Sequence, residues 1–190
     1  MIDEARLEDV GTGRAPASPG WFVVNAAETA WIRNDAFGAR ANFEAGPRAL
    51  SQRPDLEPQR FAETGYTLAV LEPGKPSGLY HTETAQEDFL VLSGTCLLVV
   101  EGEERRLASG DYFHSPPLTG HVLVGAGDGP CTIVMVGGRT KDWCDGEGFP
   151  VDAAAARYDA SVPAPTGSPA EAYVDIPDDE PARLPWPPPA

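Results

Sequence analysis

The stretch GLYHTETAQEDFLVLSG, residues 78–94, decides the fold of this 190-residue chain. Its apolar run, Phe89–Leu92, lies between polar residues and Gly94, which is typical of a short β-strand. Similar runs recur between Gly65 and Arg139 at intervals of about ten residues, with Gly, Pro, Asp and Ser between them. This pattern predicts an all-β fold, an antiparallel sandwich or barrel of short strands.

Apolar runs and the turns between them give the predicted strands. In the barrel these are residues 66–71, 79–83, 89–92, 95–100, 104–107, 112–115, 121–124 and 131–136. Upstream, Trp21–Val24 is predicted to be the first strand, Gly38–Phe43 another strand and Arg48–Arg60 a loop.

The composition changes on both sides of the barrel, which predicts three segments. We expect residues 1–20 to form a flexible N-terminal arm, residues 21–139 the β-barrel domain, and residues 140–190 a C-terminal extension with short helices. Glycine and proline, 20 of each, fit both many turns and loose ends.

Two short helices and a Pro-rich tail are predicted in the extension. Asp152 is a suitable cap for a helix over residues 151–158. The run Ser168-Pro169-Ala170-Glu171 has the residues of a helix start, with Ser as cap, Pro at the first position and Glu completing a capping box. The tail after Leu184 must be extended, and it either packs across the barrel or a partner subunit or remains a free end.

Charge and cysteine usage restrict the class of protein. The formal net charge of −15 disfavours nucleic acid and anionic membrane surfaces as partners. No apolar run approaches the length of a membrane span, and the N-terminus lacks the pattern of a signal peptide. Cys96, Cys131 and Cys144 are widely spaced, which argues against a disulfide framework or a cysteine zinc site. We predict that Cys96 and Cys131 are buried and that the protein is cytoplasmic.

Four residues point to a metal site. His81 and Glu83 are two apart on a predicted strand and share a face, Glu87 opens the next strand, and His121 opens a later one. Carboxylates that face an apolar interior repel each other and lose hydration, and a divalent cation removes both costs. Imidazole and carboxylate are suitable ligands for Mn²⁺, Fe²⁺, Ni²⁺ or Zn²⁺. The set predicts one divalent metal ion.

These residues resemble the first sequence motif of the cupin superfamily, which is Gly, five residues, His-x-His, three or four residues, Glu, six residues and Gly. His81, Glu87 and Gly94 keep this spacing. The chain departs from the motif at Glu83, which replaces the second His, and the leading Gly is displaced, with Gly78 close by.

The second cupin motif is also recognisable. It is Gly, five residues, Pro-x-Gly, two residues, His, three residues and Asn. Gly110, Pro116 and His121 match in register, whereas Leu118 replaces the Gly and Gly125 replaces the Asn.

The resemblance covers residues 65–137 and implies an antiparallel double-stranded β-helix, or jelly roll. It implies that His81, Glu87 and His121 are metal ligands and that Glu83 occupies the fourth ligand's position. The additional negative charge of Glu83 favours Mn²⁺ or Fe²⁺. The His-x-Glu-x₃-Glu-Asp-Phe run is similar to that of small bacterial single-barrel cupins of unassigned function.

Several roles remain open from the sequence alone. Glu83 is a fourth ligand, a general base beside the metal, or a solvent-facing residue at the barrel mouth. His114 is structural or supports a ligand from behind. Tyr66, Phe89 and Met135 belong to the core or line a substrate pocket.

The resemblance leaves three function classes open. The favoured one is a metalloenzyme that acts on a small polar or anionic molecule, with a dioxygenase preferred over a sugar-phosphate isomerase because no basic cluster is evident. Several cations precede the first motif, and the sequence does not place them at the site; they include Arg40, Arg48, Arg53, Arg60 and Lys75. The alternatives are a non-catalytic metal- or ligand-binding module and a structural cupin. A homodimer is also expected, with Trp21–Val24 as a strand that subunits could exchange.

Overall fold

Two antiparallel sheets face each other in the computed structural model, which describes residues 1–44, 60–139 and 148–188. The strands are β1 (Leu7–Asp9), β2 (Arg14–Pro16), β3 (Trp31–Asn34), β4 (Gly38–Asn42), β5 (Thr64–Leu71), β6 (Glu87–Ser93), β7 (Thr95–Val100), β8 (Glu103–Ala108), β9 (Tyr112–Ser115), β10 (His121–Gly125), β11 (Cys131–Gly138) and β12 (Glu180–Ala182). A 3₁₀ helix spans Ala155–Tyr158 and one short α-helix, α1, spans Pro169–Ala172. Neither helix is long and apolar enough to cross a membrane.

The larger sheet has the strand order β12-β3-β4-β5-β11-β6-β9, and the smaller sheet has the order β10-β7-β8. Between them lies a core of apolar side chains from alternate strand positions, as expected when one face of each sheet is buried. Its buried members are Ala69, Leu71, Phe89, Val91, Cys96, Leu98, Leu123, Cys131 and Ile133. The predicted all-β jelly-roll fold is confirmed, and the predicted burial of both core cysteines is confirmed as well.

The segment predicted as a strand over residues 79–83 has a different structure. Only His81 pairs with a barrel strand, through an isolated antiparallel bridge to His121. The amides of Tyr80 and Thr82 instead donate to the carbonyls of Ala160 and Gly148, at 2.6 and 2.8 Å. This segment therefore alternates its hydrogen bonds between β10 and the C-terminal extension, a partner that strand patterning does not reveal.

The segment predicted as an N-terminal arm contains two short paired strands. β1 and β2 form a hairpin, in which Gly11 and Gly13 adopt φ values of 95° and 148° that favour glycine. The predicted first strand, Trp21–Val24, forms only a single bridge at Trp21. Val23 is 80% exposed, so this run lacks the buried face that would hold it in a sheet.

The C-terminal extension packs on the barrel. The helix predicted over residues 151–158 is reduced to the 3₁₀ helix, although Asp152 Oδ1 does accept from the amide of Ala155 at 2.8 Å. α1 begins as predicted, because Ser168 Oγ accepts from the amide of Glu171 at 3.3 Å. Before the tail, β12 pairs with β3. Of the two alternatives for the tail itself, packing is observed, because the ring of Trp186 lies 6.2 Å from that of Trp31.

Two predictions fall partly or wholly outside the described residues. The predicted loop Arg48–Arg60 is described only at Arg60, and Cys144 is not among the described residues.

Candidate metal centre

The two histidines of the motifs are brought together by backbone pairing. His81 and His121 face each other in the isolated bridge, with amide-to-carbonyl distances of 3.3 and 3.0 Å. Their ring centroids lie 5.2 Å apart. Because β10 carries alternate residues into the barrel, His121 shares the inner face with Leu123, and its side chain is only 2% exposed.

Backbone carbonyls orient both rings. Nδ1 of His81 lies 2.7 Å from the carbonyl oxygen of Leu79, and Nδ1 of His121 lies 3.0 Å from that of Thr119. A carbonyl only accepts, so each Nδ1 carries the proton and each Nε2 presents a lone pair. This arrangement is typical of metal-binding histidines, whose other ring nitrogen is held by a hydrogen bond.

Glu87 points its carboxylate at these two nitrogens. Its Oε2 lies 3.2 Å from Nε2 of His121 and 3.8 Å from Nε2 of His81. Within the part of the chain that the structure describes, this oxygen is buried and has no hydrogen-bond partner. Buried polar atoms are rarely left without a partner, so this atom points to a cation.

The electrostatics of the cluster favour positive charge. Burial alone would lower the pKa of His81, but the nearby carboxylates of Glu83 and Glu87 and the carbonyl of Leu79 outweigh it, and the pKa is raised. Burial would likewise raise the pKa of Glu87, but the two histidines and Arg139 outweigh it, and the pKa is lowered. A divalent cation would stabilise the negative charge of these carboxylates in the same way.

Three ligand atoms, one each from His81, Glu87 and His121, lie within 4.8 Å of one another. Two imidazole nitrogens and one carboxylate oxygen, with no thiolate, suit a divalent first-row metal. The donor set and the unpartnered Oε2 of Glu87 therefore fit the metal that the sequence predicts.

Glu83 lies at the edge of this group. Its Oε1 is 3.7 Å from Nε2 of His81, and its side chain is 17% exposed. It is not one of the three residues whose ligand atoms converge, so its role as a fourth ligand remains a prediction.

A cavity of about 370 Å³ opens beside the carboxylates at the barrel mouth. We call it the mouth cavity. It continues the inner faces of β5, β6 and β11, where glycines replace the apolar side chains of the core. Its lining includes Gly65, Thr67, Glu83, Ala85, Glu87, Met135, Gly137 and Gly138.

The three residues predicted for the core or a substrate pocket lie in three different parts of the structure. Met135 lines the mouth cavity. Phe89 is buried in the core, where its ring packs edge-on against His121 at 5.1 Å between centroids. Tyr66 is 44% exposed and alternates with two cavity-lining residues, Gly65 and Thr67, so it lies on the outer face of β5.

His114 lies outside the ligand group. Its Nδ1 is 2.7 Å from Oδ1 of Asp88, and its side chain is 48% exposed. Tyr112 also donates to this carboxylate, at 2.5 Å. These side chains form a polar cluster on the outer face of β6 and β9.

Two arginines complete the mouth cavity and were missed in the sequence analysis as site residues. Arg60 and Arg139 both line it. Arg60 appeared only among unplaced cations, and Arg139 was not considered. A usable signal existed for Arg139, since it follows Met135 by four positions on an extended segment and so shares its face.

Comparison with known families supports the same region. Residues 67–137 match the profile of the family described as "Cupin domain". The match includes β6 to β11 and leaves the first four strands and the C-terminal extension outside. No curated protein matches the chain.

Several solved structures are similar to part of this chain. One, provisionally described as a sugar phosphate isomerase from Acidithiobacillus ferrooxidans, is 28% identical over 53% of this chain and 60% of that chain, with a TM-score of 0.41. The matched region thus spans less than two thirds of that protein. A sugar phosphate isomerase of the cupin superfamily from Silicibacter pomeroyi is 22% identical over 66% of this chain and 83% of that chain, with a TM-score of 0.47. An RmlC-like cupin from Shewanella frigidimarina is 16% identical over 65% and 95%, with a TM-score of 0.48.

Proposed function

Because residues 67–137 form a cupin domain, we propose that this protein is a metal-dependent enzyme acting on a small, oxygen-rich organic molecule. His81, Glu87 and His121 hold the ion. One observation carries the proposal: their ligand atoms lie within 4.8 Å of one another, and Glu87, with its unpartnered buried oxygen, borders a cavity large enough for a small ligand.

The metal, when bound, supplies Lewis-acid polarisation of a substrate oxygen. Mn²⁺ and Fe²⁺ suit the donors best if Glu83 joins them. The protein orients the ligands: Leu79 and Thr119 fix the imidazole rings through their carbonyls. Phe89 packs against the His121 ring, with a centroid distance of 5.1 Å, and keeps water from that side.

Glu83 is the group best placed to move a proton. It lines the mouth cavity beside Glu87, and its Oε1 lies close enough to Nε2 of His81 to share the ligand environment, at 3.7 Å. We assign to this carboxylate the role of a general base that takes a proton from the substrate and returns it at a neighbouring atom. Such a reaction is an isomerisation.

A dioxygenase was favoured from the sequence because no basic cluster was evident. The presence of Arg60 and Arg139 in the cavity wall removes that reason and supports an isomerase-like proton transfer. A dioxygenase and a non-catalytic binding module are the two alternatives, and the experiment distinguishes them from an isomerase.

The test is hydrogen exchange in D₂O with the metal-loaded protein and a panel of aldose phosphates, ketose phosphates and 2-hydroxy carboxylates. We expect deuterium to enter one substrate carbon with wild type and with Glu103→Gln, an exposed control whose side chain pairs with Arg105. Glu83→Gln should lose about a hundredfold of this rate. Metal binding without exchange or turnover would support a binding module, and O₂ consumption would support a dioxygenase.

A further inference from the structure

The lining of the mouth cavity combines charged groups of both signs. Glu83 and the metal ligand Glu87 line it, and so do Arg60 and Arg139. In the strand register, Gly137 is opposite Glu87 on β6. Arg139 follows Gly137 by two positions on an extended segment, which corresponds to about 7 Å along the chain. A short molecule that lies beside Glu87 can therefore also reach Arg139.

Arg139 is held in place from two sides. Its guanidinium group forms an ion pair with Glu44, whose other oxygen accepts from the amide of Phe61 at 2.8 Å. Gly65 makes room for it, since a Cβ at Gly65 would lie only 2.6 Å from Cζ of Arg139. The guanidinium thus lies over bare backbone in the cavity wall, and its side chain remains 38% exposed.

Arg60 is available for a ligand. It borders the mouth cavity, and no carboxylate of the described residues lies within ion-pair distance of it. It also borders a second cavity of about 700 Å³, the side cavity, which β3, β4 and the segment after α1 enclose. Arg139 borders both cavities as well, so the two guanidinium groups stand where the cavities adjoin.

The charge balance favours an anion once the metal is present. Among the described residues, the lining of the mouth cavity carries two carboxylates and two guanidinium groups, and Glu44 adds one more negative charge behind Arg139. A divalent cation at the ligand group makes this set net positive. Planar guanidinium groups bind carboxylate and phosphate oxygens through paired, charge-assisted hydrogen bonds.

We infer that Arg139 and Arg60 bind the anionic group of the substrate, so that the enzyme takes a short oxygenated molecule with a carboxylate or phosphate at the end remote from the metal. This inference rests on the proposed function and extends it to a substrate class. Arg139 supplies the fixed contact and Arg60 the adaptable one.

The experiment measures anion binding directly, by titration calorimetry on metal-loaded protein, with inorganic phosphate in one arm and glycolate in the other. The variants are Arg60→Gln, Arg139→Gln and Gly65→Ala, and the last moves the Arg139 guanidinium without removing its charge. Arg105→Gln is the matched control, because Arg105 is 62% exposed and pairs with Glu103 on the β7–β8 hairpin. Metal content is measured for every sample.

We expect wild type and Arg105→Gln to bind one of the two anions, and each of the other three variants to bind it at least about tenfold more weakly with metal content unchanged. The arm that binds more tightly identifies the anionic group. Equal affinity in all variants, or no binding of either anion to metal-loaded wild type, would overturn the inference and leave the metal site standing. Absence of metal from wild type would instead overturn the proposed function.

Discussion

Replacing Gly137 with Ala should stabilise the protein and impair its activity. Gly137 lies in β11, and a Cβ there would meet Glu87 at ordinary contact distances, 3.6 Å from Oε1 and 3.9 Å from Cγ. Its φ is not in the left-handed region, so the methyl group fits without backbone strain. The same methyl group would stand over the carboxylate and fill the part of the mouth cavity that a substrate must enter.

The expected gain in stability comes from the effect of the substitution on the unfolded chain. Gly→Ala at a compatible position restricts the unfolded chain and adds about 0.4–1 kcal/mol to the free energy of unfolding. For a chain of this size, that change raises Tm by about 1–4 °C. We expect metal content to be unchanged and kcat/KM to fall by about tenfold or more, because the substrate no longer reaches its near-attack position.

Thermal unfolding, elemental analysis and turnover are measured on wild type, Gly137→Ala and Gly127→Ala. Gly127 is a matched control in the β10–β11 connection, where the nearest atom to a Cβ is 3.5 Å away and no left-handed φ is required. The control should gain stability and keep full activity. A lower Tm for Gly137→Ala would refute the geometry of the cavity, and full turnover would refute its use by the substrate.

Further predictions concern the core, the metal, the tail and the assembly. Ile133→Ala removes a fully buried side chain and should cost about 2–5 kcal/mol in the free energy of unfolding measured with urea. If the metal is present at a hundred times its Kd, its removal by a chelator should lower the free energy of unfolding of wild type by about 3 kcal/mol. Chelation should not change the free energy of unfolding of His121→Ala. Trp186→Ala removes the ring that packs 6.2 Å from Trp31 and should cost about 1 kcal/mol, read from the same urea curves. Light scattering should give the mass of a homodimer, and a monomer mass would overturn that prediction.

The barrel strands could be predicted because their signal is local. From β5 to β11, apolar residues recur at strand spacing and glycines mark most of the turns, and both features follow from a sheet with one buried face. The segment around His81 could not be predicted in the same way, since two of its backbone amides donate to Gly148 and Ala160 in the distant C-terminal extension. Trp21–Val24 shows the converse, an apolar run that no sheet buries.

The residues of the candidate site also differ in whether a local sequence pattern reveals them. His81, Glu87 and His121 were accessible from motif spacing, because that spacing reflects positions on neighbouring strands. For Arg139, strand alternation with Met135 indicates only the face, because its place in the cavity also depends on a buried carboxylate, Glu44, and on a missing side chain at Gly65. These contacts join segments that are far apart in sequence, and no local pattern records them.

The most direct test of the central claim is elemental analysis of purified, untagged wild type beside His81→Ala, His121→Ala and His114→Ala. His114 is the matched control, because it is an exposed histidine on the outer face, paired with Asp88. We predict about one equivalent of Mn, Fe, Ni or Zn in wild type and in His114→Ala, and little in the other two variants although they remain folded. Full metal content in both His81→Ala and His121→Ala, or none in wild type after reloading, would contradict the claim that these residues form a metal centre.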